Sequence, residues 1–156
     1  MIPNVQAFLA MIAHAEGTDR ATDPYRVCYG FHHLIASFAD HPALTGEWMG
    51  ERITVGIYAG ELSTAAGRYQ INKPTWLRLK AKLGLICFDP TSQDDAAIQL
   101  ISDNCALSLI RDGKLGAAVT KLSAIWASLP GGDSGQQEQL FASLQAAYTG
   151  AGGALA

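Results

Sequence analysis

The sequence has no apolar run near the roughly 18 residues that a membrane helix needs, and its start lacks the basic residues and continuous apolar stretch of a secretory signal. A soluble chain, made in the cytoplasm and without stable membrane association, is therefore expected. Nor is there a cluster of basic residues: 11 Lys and Arg against 14 Asp and Glu leave a net charge of -3. Neutralising phosphates needs a concentrated cationic excess, so a general nucleic-acid binder is excluded. The three cysteines, Cys28, Cys87 and Cys105, lack the even number and regular spacing of a disulfide framework, which points to a reducing compartment. Cys87 and Cys105 read as small buried apolar groups. HExxH and CxxC pairs are missing, as are internal repeats and the strand-helix alternation of a parallel sheet. No metal or other cofactor is implied.

What is present suits one compact, monomeric domain: 156 residues, 49% of them hydrophobic. Val5, Phe8, Leu9 and Ile12 recur at helical spacing and predict an amphipathic helix from Pro3 to about Ala15, closed by Gly17. Between Thr18 and Gly67 the pattern loosens into Gly, Pro and Asp punctuation, with an alternation at Ile53, Val55 and Ile57 that predicts a short strand or hairpin. A helix starting near Lys73, with Pro74 in its first turn, carries Trp76, Leu79 and Leu83 on one face and stops at Gly84. Three further stripes predict helices: Ala97, Ile101 and Cys105; Leu122, Ile125, Trp126 and Leu129, stopped by Pro130; and Phe141, Leu144 and Tyr148. The expected class is α+β, mostly helical with a small antiparallel sheet or hairpin. Residues 1–150 form the domain, and residues 151–156 a disordered tail.

Glu16 stands out because it continues the buried face of the first helix, four residues after Ile12. Burial and the negative end of the helix dipole both raise a carboxyl pKa, which is what a glycosidase acid needs. The same position also suits a partly exposed glutamate on a frayed end, or one paired with an arginine. Of the neighbouring carboxylates, Asp19 is placed to accept backbone N–H groups in the turn, and Asp23 before Pro24 is explained by turn formation.

Glu16-Gly17-Thr18-Asp19, Gly67-Arg68-Tyr69-Gln70 and Trp126-Ala127-Ser128-Leu129-Pro130-Gly131 resemble, in this order, segments of the lambda-type phage endolysins. Asp40-His41-Pro42, Ser92-Gln93-Asp94 and Ala151-Gly152-Gly153 are similar too. The resemblance spans nearly the whole chain and is weakest between Arg20 and Ala65. It implies a lysozyme-like fold and a lytic transglycosylase that cleaves the β-1,4 bond between N-acetylmuramic acid and N-acetylglucosamine in peptidoglycan. Glu16 would protonate the glycosidic oxygen and then take the proton of the sugar's own C6 hydroxyl as that oxygen closes on C1, giving a 1,6-anhydro end. Intramolecular attack has a high effective molarity, so a second carboxylate becomes dispensable. A holin would have to open the inner membrane before such an enzyme reaches the wall from the host cytoplasm.

Around Glu16 the candidate substrate contacts are Asp19, Tyr25, Tyr58, Arg68, Tyr69, Gln70 and Ser128. Gly67 would let backbone approach a sugar. Tyr69 would stack on a pyranose or sit in the core; Gln70 would hydrogen-bond an acetamido group or Glu16; Arg68 would bind or be a surface charge. Tyr29 is a further stacking candidate, Trp126 is assigned to the core, and Ser128 to the site. Arg26 departs from the pattern, in which an acidic residue follows the tyrosine, and puts one expected substrate contact in doubt. Other readings stay open: a hydrolytic muramidase, a peptidoglycan amidase using Cys28, His32, His33 and His41 as a thiol or metal centre, and a non-catalytic wall-binding protein.

Overall fold

Pro3 sets the first turn of helix α1 (Pro3–Ala15), where its missing N–H is no loss, and Gly17 ends it in the left-handed region at φ 75°. A computed structural model describes residues 2–131 and 141–156. The chain divides into two compact units, one of residues 1–17 and 98–156, the other of residues 18–97.

In the first unit α1 packs against α5 (Leu107–Arg111) and α7 (Phe141–Gly150), and α5 packs against α6 (Leu115–Leu122). The stripe expected on α1 is buried, but Ala7, Met11, Ala13 and Ala15 are buried as well. A helix apolar nearly all round becomes a core helix rather than a surface one. The tail expected to fray is held: Asn4 exchanges hydrogen bonds with both backbone groups of Ala154, Tyr148 donates its hydroxyl to the Ala154 carbonyl, and the Ala156 N–H reaches Gly113. Backbone groups that find partners on neighbouring elements replace the fraying that a Gly-rich end otherwise favours.

Two expected stripes change form. The helix predicted through Leu129 ends at Leu122, and residues 123–131 continue as turns. Pro130 disfavours helical geometry in the residue before it, and Ser123 donates its hydroxyl back to the Thr120 carbonyl at 2.9 Å. Trp126 and Leu129 are still buried, whereas Ile125 is exposed. Cys105, expected on a buried stripe, lies beyond the end of α4 (Pro90–Asp103) in a left-handed conformation and is exposed.

The second unit holds three short 3-10 turns (Thr18–Arg20, Pro24–Arg26, Tyr29–Phe31), helix α2 (Pro42–Thr45), strands β1 (Glu51–Arg52) and β2 (Leu62–Ser63), and α3 (Lys73–Leu83). The antiparallel pair aligns Glu51 with Ser63 and Arg52 with Leu62, and Ile53 extends it through bonds with Glu61 and Gly60. The hairpin is as expected, but the alternation is not its strand: Val55 and Ile57 lie exposed in the connecting loop. A buried face for that alternation would have required a layer above the sheet. On α3 Asn72 caps the start by accepting from the Thr75 N–H, Gly84 ends it at φ 68°, and Trp76 and Leu79 are buried while Leu83 is exposed. Phe88 packs edge-on against Trp76 (4.7 Å) and His41 (4.9 Å), and forms the aromatic centre of this unit.

Candidate active site

Glu16 is the C-cap of α1, in helical geometry (φ −74°, ψ −10°), with its N–H bonded to the Ile12 carbonyl at 2.9 Å. The residue is half-buried, and burial pushes its carboxyl from 4.5 up to about 7, opposed by the hydroxyl of Ser128, which donates to Oε1 at 2.5 Å. A carboxyl of this kind keeps its proton near neutral pH and can still reach a ligand. Ser128 is itself buried, between the buried side chains of Trp126 and Leu129. It was expected to contact substrate; its hydroxyl is donated to Glu16 instead.

The remaining expected residues belong to the other unit, and several are joined in one network. Arg68 donates from Nη1 to the Tyr25 hydroxyl (2.7 Å), which donates to Asp94 Oδ1 (3.0 Å); the Tyr69 hydroxyl donates to the same oxygen (2.6 Å). The Arg68 guanidinium also lies over both tyrosine rings, 5.1 and 5.5 Å from their centroids. Burial raises the pKa of both tyrosines and, with the hydrogen bond to Asp94, holds Tyr69 neutral.

Tyr69 is 1% exposed, so the expectation that its ring stacks on a sugar is corrected: it is core, because its hydroxyl finds Asp94 inside the unit. Arg68 is half-buried rather than a surface charge, and its Nε is buried with no hydrogen-bond partner among the described residues. Gly67 is also reassigned. At φ 78° it suits glycine, and a Cβ there would lie 2.2 Å from Gln93 Oε1. Its hydrogen is thus turned toward Gln93, whose amide accepts from the Arg68 N–H and donates to the Tyr25 and Phe88 carbonyls.

Gln70 adopts a left-handed φ of 49°, and its amide nitrogen is committed to the Val27 and Gly67 carbonyls, which leaves its oxygen as the acceptor end. Asp19 is exposed in the Thr18–Arg20 turn, Tyr58 is 43% exposed in the hairpin loop, and Tyr29 is half-buried. Asp23 caps the Pro24–Arg26 turn, accepting from the Tyr25 N–H and from Arg26. Arg26 further donates to the Ile35 and Ala36 carbonyls and lies 4.2 Å from the centre of the Phe38 ring. The departure from the expected acidic residue thus has a structural use, clamping the turn to residues 35–38.

The Cys/His alternative loses its members one by one. Cys28 is buried, with its thiol pushed up to about 12 by burial first and by Glu47 second, which leaves no thiolate near neutral pH. His41 is buried with both ring nitrogens engaged, by the Ile71 carbonyl and the Ala43 N–H. His33 pairs with Glu47 and stacks on Trp48, while His32 pairs with Glu51. Among the described residues no three His, Cys, Asp or Glu are grouped to hold a metal. Sequence reasoning missed Gln93 and Asp94 as members of the polar network; the signal present was two adjacent polar residues in the first turns of α4, of which Gln93 is buried and Asp94 half-buried.

The helices, the two-stranded antiparallel pair and the desolvated glutamate at a helix end define an α+β protein of the lysozyme-like class. The structure matches that of bacteriophage lambda lysozyme complexed with a chitohexasaccharide, with a TM-score of 0.86 and 36% identity over 100% of this chain and 98% of the other. A second structure of lysozyme from bacteriophage lambda matches at a TM-score of 0.81, with 35% identity and the same coverage. The endolysin of Escherichia phage P2 is 36% identical over 96% of this chain and 93% of its own length, and that of Escherichia phage lambda 39% identical over 95% and 90%. The endolysin family model matches residues 6–155, and the chain belongs to that family, the peptidoglycan-degrading lysis enzymes of bacteriophages.

Proposed function

We propose that this protein is a peptidoglycan lytic transglycosylase that cleaves the β-1,4 bond from N-acetylmuramic acid to N-acetylglucosamine and leaves a 1,6-anhydro end. The observation that carries this reading is the Glu16 carboxyl, desolvated to a pKa of about 7 and met at Oε1 by a hydroxyl donor. Protonated, it donates to the departing glycosidic oxygen as the C1–O bond breaks. As carboxylate, it takes the proton of the C6 hydroxyl while O6 bonds to C1, and no water is consumed. The commitment of Asp23 to its own turn and to Arg26 supports a mechanism with one carboxylate. The relative solved with a chitohexasaccharide supports a glycan substrate. Tyr58, Asp19 and the Gln70 side-chain oxygen are the substrate contacts in this reading, with the half-buried Tyr25 and Arg68 as further ones.

The family match over residues 6–155 supports one catalytic domain, which in this reading acts as a monomer. No helix among the described residues is long and apolar enough to cross a membrane. In the proposed cycle the enzyme is made in the host cytoplasm and reaches the wall once a holin opens the inner membrane. Mass spectrometry of muropeptides released from purified peptidoglycan tests the chemistry. Anhydro ends are expected; reducing ends would convert the reading to a hydrolytic muramidase, with Asp19 the first carboxylate to substitute.

A further inference from the structure

We propose that Ser128 is a positioning residue that reserves Oε1 of Glu16 as an acceptor and thereby makes Oε2 the oxygen that delivers and retrieves the proton. This rests on the reading of Glu16 as acid and base. A carboxyl group has two equivalent oxygens, and an acid that must first give and then take a proton at one place gains from having that equivalence broken. The 2.5 Å bond from the Ser128 hydroxyl breaks it. The donor is not a surface rotor. Ser128 is buried, its neighbours Trp126 and Leu129 are buried on either side, and the Leu129 N–H closes the turn onto the Trp126 carbonyl at 3.0 Å.

The two oxygens then have separate tasks. In the resting acid the proton is on Oε2 while Oε1 accepts from Ser128. As the C1–O bond breaks, the Oε2 proton passes to the leaving oxygen and the carboxylate appears. The Ser128 bond then strengthens, because a hydroxyl donating to an anion is about twice as strong as one donating to a neutral oxygen. When O6 closes on C1, its proton returns to Oε2 and the starting state is restored. Ser128 therefore stabilises the carboxylate that the first proton transfer creates, without giving up its own proton. This differs from a substrate contact, since the hydroxyl hydrogen is already donated to Glu16.

The experiment is the pH dependence of kcat and KM for muropeptide release by Ser128→Ala, Ser128→Thr, Ser128→Cys and Glu16→Gln, each checked for native circular dichroism. Ser128→Ala should lower kcat about 10- to 100-fold with little change in KM, and should move the alkaline limb to higher pH, because the carboxylate loses its donor. Threonine, which keeps the hydroxyl, should restore both. Cysteine, a near-isostere with a weak donor, should fall between, and it keeps the test decisive should alanine fail to fold. A raised KM with an unmoved pH limb would overturn the proposal in favour of direct substrate binding, and unchanged kcat and limb would overturn it outright. Activity retained by folded Glu16→Gln would instead overturn the function on which it rests.

Discussion

In the unit of residues 18–97, Asp94 accepts from two tyrosine hydroxyls at one oxygen, Arg68 spans both rings, and Gln93 uses both ends of its amide on backbone groups. In the unit of residues 1–17 and 98–156, the Glu16 carboxyl receives one hydroxyl, from Ser128, among the described residues. Both arrangements take polar atoms out of water, yet they differ in how far the loss is compensated. The first is a cooperative network whose members hold one another in place. The second leaves desolvation ahead of hydrogen bonding, so the carboxyl keeps its proton. Compensated burial gives rigidity, and incompletely compensated burial gives reactivity.

The largest test of that contrast is Glu16→Gln, which should lower activity by about 10²- to 10⁴-fold, the usual range for a lost general acid, and yet not destabilise the fold. The pKa of Glu16 is raised from 4.5 unfolded to about 7 folded, so the native state holds more protons between those values. Wild-type stability should therefore fall with rising pH across this window and level off above it. Urea melts should show the glutamine variant matching wild type near pH 4 and exceeding it at pH 8, by up to about 3 kcal/mol.

Breaking the compensated network should do the reverse. Asp94→Ala removes the acceptor shared by two tyrosine hydroxyls and should cost about 1–3 kcal/mol, read as a lower urea midpoint. Gly67→Ala places a Cβ against Gln93 in a left-handed backbone and should cost about 1–3 kcal/mol by the same melt. Tyr69→Phe, which removes one hydroxyl and keeps the ring, should cost about 1 kcal/mol with kcat within twofold of wild type. The smallest effect is expected of thiol alkylation at pH 8: mass spectrometry should find exposed Cys105 modified and buried Cys28 intact, with lysis unchanged.

Much of this was legible in the chain itself. Pro3 and Gly17 bracket α1, Pro74 and Gly84 mark the start and end of α3, and the position of Glu16 after Ile12 marked the inward carboxylate. Tyr69 was not legible in this way, because an aromatic beside glycine and arginine suits a sugar platform and a core equally. Val55 and Ile57 misled for a related reason: alternation signals a strand only where something covers one face.

By itself the sequence determined where α1 and α3 start and stop, which class of fold the helices and hairpin build and which carboxylate ends the buried helix, since caps, turns and periodicity depend on neighbours a few residues away. Only the tertiary structure decided that Tyr69 is core, that Gly67 makes room for Gln93, that the tail is tied to Asn4, and that Ser128 meets Glu16 across 112 positions of chain. Those outcomes depend on which distant groups arrive at the same place, and local propensity carries no record of that.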